Sequence, residues 1–139
     1  MNKTPAMPKL SVNDMDRVSF QRLHEQHVVW FFIHHMLDKG WKLVDVDDGD
    51  DDTTVRDMAH AMETIYNLDE CWLRFKMQSG PHRGKKHSVY LVMGNAPDEV
   101  IADWGYTDGD ADGFDAAVSA FKPEEVARIM LGRAFGLAE

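Results

Sequence analysis

Cys71-Trp72-Leu73-Arg74-Phe75-Lys76-Met77-Gln78 and, past a glycine-containing connector, His87-Ser88-Val89-Tyr90-Leu91-Val92-Met93 decide how this chain folds. In the first stretch Leu73, Phe75 and Met77 alternate with Trp72, Arg74 and Lys76; in the second, Val89, Leu91 and Met93 alternate with Tyr90 and Val92. A period of two belongs to a strand with one face on a core. Ser79-Gly80-Pro81 through Gly84, and Gly94-Asn95-Ala96-Pro97-Asp98, supply turn residues on either side of the second stretch. With a third strand from Glu99 to Tyr106, the expected unit is an antiparallel meander.

Upstream, the pattern turns helical from about Asp16 to Lys39, with Leu23, Val29, Trp30, Phe32, Ile33, Met36 and Leu37 on one broad face and Gly40 as the stop. Trp41 to Val46 reads as a strand. Thr53 or Thr54 can cap a second helix reaching about Asn67, whose stripe is Val55, Met58, Ala59, Met62, Ile65 and Tyr66. Downstream come a short helix, Gly113 to Phe121, and another from Pro123 to about Phe135, with proline at its first position and Glu124 and Glu125 in its first turn. The order α-β-α-β-β-β-α-α predicts a single α+β domain over residues 16–139, in which the meander packs against helices. Residues 1–15 lack periodicity and read as a mobile arm.

A chain of 139 residues with 44% apolar content, four tryptophans and seven phenylalanines can build a core without staples. The single cysteine, Cys71, has no internal partner, which points to a reducing cytoplasm. The opening MNKTPAMPKL has no apolar stretch after its lysines, and the longest apolar run, Val28 to Ile33, is far too short for a span. We therefore expect a protein that neither enters a membrane nor is secreted. A net charge of -9 opposes direct binding to nucleic acid phosphates or anionic lipid, so a basic protein is the more natural partner.

The charge is also sorted. Asp45, Asp47, Asp48, Asp50, Asp51 and Asp52 crowd one segment, a second acidic run spans Asp108 to Asp115, and Gly80 to His87 forms a basic island. Asp108, Asp110 and Asp112 with Gly113 resemble the first half of an EF-hand-type loop, a candidate metal site. The second half fails, because Ser119 stands where a bidentate glutamate is required and Asp115 where an apolar residue belongs. The same residues also suit a helix start, with Asp112 as the cap. The first helix carries His24, His27, His34 and His35 on a stripe opposite its apolar face, which predicts a solvent-exposed histidine face. HEQH falls one residue short of the zinc-protease pattern. No Walker loop, dinucleotide glycine pattern, nucleophile elbow or CxxC pair is present.

No cofactor is called for and no catalytic constellation stands out. Alternation turns Trp72 and Arg74 outward beside Tyr90, a mixture of amphipathic rings and charge typical of contact surfaces. The reading that follows is a small acidic protein-interaction module, an inhibitor or immunity-type factor for a basic partner. Asp47, Asp48, Asp50 and Asp51 would steer that partner, Trp72, Arg74 and Tyr90 would contact it, and the same face would support a homodimer. The alternatives are a metal-dependent enzyme or calcium-binding module using an aspartate loop, and a small-ligand-binding domain.

Overall fold

The sheet at the centre of the molecule is five-stranded and antiparallel throughout, in the order β2-β1-β3-β4-β5. The computed structural model describes residues 17–105, 112–126, 128 and 129. Its elements are α1 (Arg17–Asp38), β1 (Trp41–Asp47), β2 (Asp52–Thr54), α2 (Met58–Tyr66), β3 (Glu70–Met77), β4 (Lys86–Val92), a 3-10 turn (Pro97–Glu99), β5 (Ile101–Gly105) and α3 (Phe114–Ser119). Residues 123–126 are again helical. The fold is α+β in the expected order, with the short strand β2 added between β1 and α2 and the meander β3-β4-β5 in place. The N-terminal arm over residues 1–15 and the end of the last helix lie outside the described residues.

Alternation does the sorting. Leu73, Phe75, Val89 and Leu91, fully buried, face the helices and meet Val28, Val29, Phe32 and Met36 of α1 and Ile65 of α2 in one core. Phe32 sets its ring edge-on to Phe75 and to Phe121, at 5.8 and 5.3 Å between centroids, the geometry aromatic pairs prefer. Between α1 and β1, Gly40 takes a positive φ of 95°, which a side chain would resist. A Cβ there would also come within 3.2 Å of the Met77 sulfur.

Two local expectations change. Thr53 and Thr54 do not cap α2; they sit in β2, where Thr53 pairs with Val46 and Thr54 with Asp45. The cap is Asp57, whose carboxylate accepts the His60 N–H at 2.8 Å. The aspartate run can fold back as a hairpin because its carboxylates satisfy the turn. Asp47 accepts from Gly49 N–H, and Asp48 accepts from the N–H groups of both Asp50 and Asp51, all at 2.8 Å. Such aspartate-to-backbone bonds are the chemistry that favours this residue in turns.

The histidine stripe of α1 is not a solvent face. His27 is 4% exposed and bonds the Leu23 carbonyl through Nδ1, and His35 bonds the Ala117 carbonyl at 2.7 Å. His24 and His34 are half-buried. Burial, then the neighbouring His27, holds the His24 imidazole below its ordinary pKa. The cause is the position of α1, which contacts β1, α2 and the 3-10 turn and reaches α3 through His35. A helix enclosed on several sides buries polar residues as well, and Glu25, at 2% exposure, spends its carboxylate on Gly94 N–H at 2.7 Å.

Candidate functional site

Sheet residues whose side chains point away from the helices form a face that no described element covers, and the register lines them up in rows. Lys42, Lys76 and Lys86 are direct cross-strand neighbours at one end. Further along lie Asp45, Arg74 and Ser88, with a bulge at Val44 keeping Asp45 opposite Arg74. Beyond them comes the row Asp52, Asp47, Trp72, Tyr90 and Asp103. Glu70 and Val92 close the sequence of rows.

Each row has its own chemistry. Trp72 and Tyr90 lie across the β3-β4 ladder with ring centroids 4.7 Å apart, and Trp72 remains 38% exposed. The Tyr90 hydroxyl donates to a carboxylate oxygen of Glu70, which holds the phenol along the face. Arg74 Nη1 donates to both oxygens of Asp45, at 2.9 and 3.0 Å, and lies 3.8 Å from Asp52. The guanidinium is therefore neutralised within its own row. Asp48, Asp50 and Asp51 stand at the tip of the β1-β2 hairpin, fully open to water. The N–H bonds from Asp51 and then Asp50 hold the Asp48 carboxyl below its usual pKa.

The structure thus brings Asp47, Trp72 and Tyr90 into one row, sets Arg74 one row away, and places Asp48, Asp50 and Asp51 on the turn that edges it. Among the candidate metal ligands, Asp108 and Asp110 lie outside the described residues. Asp112 accepts from His87 Nε2 at 2.6 Å and from Phe114 N–H at 3.3 Å. Burial pushes the Asp112 carboxyl up, but the His87 hydrogen bond and the Phe114 N–H outweigh it and hold its pKa below the ordinary value. Among the described residues no three His, Cys, Asp or Glu side chains converge as a metal site.

Sequence reasoning missed two features. His87 belongs to the wall of the core rather than to the basic tip; it is 7% exposed and stacks on Phe114, centroids 4.7 Å apart, and on Trp41 at 5.4 Å. Its partner lies 25 residues away in sequence, beyond the reach of any local pattern. The lysine row was half visible, since alternation turns Lys76 outward, but only the pairing register brings Lys42 and Lys86 beside it. Cys71 is buried, and burial, followed by the charges of Asp48 and Asp47, pushes its thiol up to about 12, which removes it as a nucleophile at neutral pH.

On the helix side, a cleft of about 330 Å³ opens between α1, β1 and α2, lined by Ile33, Leu37, Leu43, Val55, Met58 and Ala61 with His34, Arg56 and Asp57 at its polar margin and Lys42 reaching it from the edge of β1. No described helix is long and apolar enough to cross a membrane. Compared with known proteins, the chain matches no family model, no curated protein and no solved structure.

Proposed function

We propose that this protein is an interaction module that binds a basic protein through the open sheet face, as an inhibitor or immunity-type factor, in the reducing cytoplasm that a buried, unbridged Cys71 suits. The observation that carries the reading is the adjacency of the hairpin carboxylates to the Trp72-Tyr90 pair: a long-range attractor beside an amphipathic anchor. Exposed charges act mainly on encounter, and a ring that becomes desolvated acts mainly on residence time. Changing Asp47, Asp48, Asp50 and Asp51 to Asn should slow association with the partner recovered from the native host and flatten its salt dependence. Trp72→Ala should instead speed dissociation. Recovery of the same partners at unchanged rates with the Asn-substituted hairpin would defeat the steering role.

The helix-side cleft favours a second reading, a small-ligand-binding domain. Its volume lies at the lower end of the range for ligand pockets, and its apolar walls, with Arg56 and Lys42 against the single carboxylate of Asp57 at the margin, would suit an apolar carboxylate. A melting temperature insensitive to a series of medium-chain carboxylates would remove it.

A further inference from the structure

Three lysines in direct cross-strand register are costly, because like charges set opposite one another on a sheet destabilise it. No carboxylate of the described residues forms an ion pair with Lys42, Lys76 or Lys86. At the other end of the same face the row Asp52, Asp47, Trp72, Tyr90 and Asp103 carries three carboxylates and two rings, with Glu70 beyond. Between them, Arg74 is already satisfied by Asp45. The face is positive at one end, negative and aromatic at the other, and neutral at its centre.

From this pattern the geometry points to a second copy of the same chain as an occupant of the face, docked by a two-fold axis that lies in the interface perpendicular to the strands and passes through the Arg74 row. A two-fold interface must be self-complementary. Two in-plane axes could bring the faces together. An axis parallel to the strands would lay lysine row on lysine row. The perpendicular axis keeps each strand over its counterpart and exchanges the ends, so Lys42 meets the copy's Asp47, and Lys76 and Lys86 meet the stacked Trp72-Tyr90 pair between Asp47 and Asp103. Each lysine then meets a carboxylate or the aromatic pair, while on the axis each Asp45-Arg74 ion pair, neutral as a unit, meets the same pair of the copy. The crossing of about 30° that twisted sheets adopt when stacked leaves this exchange of ends intact.

Magnitude sets how strong such a dimer is. Strands about 4.8 Å apart and residues about 3.3 Å apart give a patch roughly 24 by 20 Å, about 500 Å² on each copy and about 1,000 Å² in all. That is the low end of specific interfaces, so the dimer is concentration-dependent and reversible. It rests on the reading of the open face as a contact surface, but not on the foreign partner, which would have to displace the second copy.

The test is charge exchange, followed by sedimentation with far-UV circular dichroism as the control for folding. Wild type should move from monomer to dimer with concentration. Lys42→Glu with Lys76→Glu and Lys86→Glu should weaken self-association by more than about tenfold, as should Asp47→Lys with Asp103→Lys. An equimolar mixture of the two variants should recover a heterodimer. Wild type alone provides a second measurement should a variant fail to fold: raising salt from about 0.1 to about 1 M shortens the screening length from about 10 to about 3 Å and should dissociate the dimer. A wild type that stays monomeric at every concentration overturns the dimer and leaves the face to the foreign partner, while loss of the partner with the dimer intact fails only the proposed function. Reversal variants that still dimerise, a mixture that does not recover, or a dimer indifferent to salt would overturn the charge-exchanged arrangement.

Discussion

A carboxylate placed at the edge of a core has to be held there, and Asp112 shows how. Its acceptor-only oxygens require that His87 carry its proton on Nε2, which fixes the imidazole between the Phe114 and Trp41 rings. The pair ties β4 to the start of α3. Asp112→Asn keeps the size but replaces a charge-assisted bond with a neutral one, and Asp112→Ala leaves His87 buried without its acceptor. The alanine variant should lose about 1–3 kcal/mol of stability at neutral pH. The pH dependence follows from the lowered folded pKa of Asp112. The stabilisation is complete above the unfolded carboxyl value of about 3.9 and is lost as pH falls through the lower folded value. Urea unfolding at neutral pH and in acid should therefore show the gap between wild type and Asp112→Ala closing below about pH 4. A gap that stayed constant into acid would mean that the carboxylate charge is not what His87 responds to.

At the scale of single elements, α2 offers the sharpest check. This helix of nine residues is too short to stand by itself, and its first turn relies on the Asp57 carboxylate bonded to His60 N–H. Asp57→Ala should cost about 1 kcal/mol, whereas Thr53→Ala, on β2, should cost markedly less by way of any cap. Equal effects in thermal melts would contradict the assignment. The threonines looked like caps because a cap is recognised from residue type and from the apolar stripe that follows, and Asp57 satisfies the same rule four residues later. Nothing local chose between them; the β1-β2 hairpin did, by drawing Thr53 and Thr54 into the sheet. The meander, by contrast, was legible because each strand writes its own period of two, and the outward placing of Trp72, Arg74 and Tyr90 followed from it. Register was not legible, since it joins residues of separate strands. For the same reason the lysine row, the Asp45-Arg74 pair and the burial of the α1 histidines emerged only with the assembled sheet and helices.

Taken whole, the molecule divides into a shared core on one side of a sheet and a sorted array of charge on the other. The core joins α1, α2, α3, β1, β3, β4 and Val126 in one cluster, with Ile101 and Trp104 of β5 packed against it, so the described elements share a single buried unit. Two tryptophans report from opposite sides of this division: Trp41 is 1% exposed within the core, while Trp72 stands on the open face. Because the face owes its shape to strands that the core holds, neither side should persist without the other. Thermal unfolding followed by far-UV circular dichroism should therefore coincide with unfolding followed by fluorescence in variants that keep only Trp41 or only Trp72, the other three tryptophans changed to Phe, each variant compared with its own circular dichroism trace. Since no described contact in the core passes through a metal, chelation with EDTA should leave the shared midpoint in place. Non-coincident traces would reveal two cooperative units, and a midpoint that falls on chelation and returns with stoichiometric Ca²⁺ would return the acidic run around Asp112 to the metal reading.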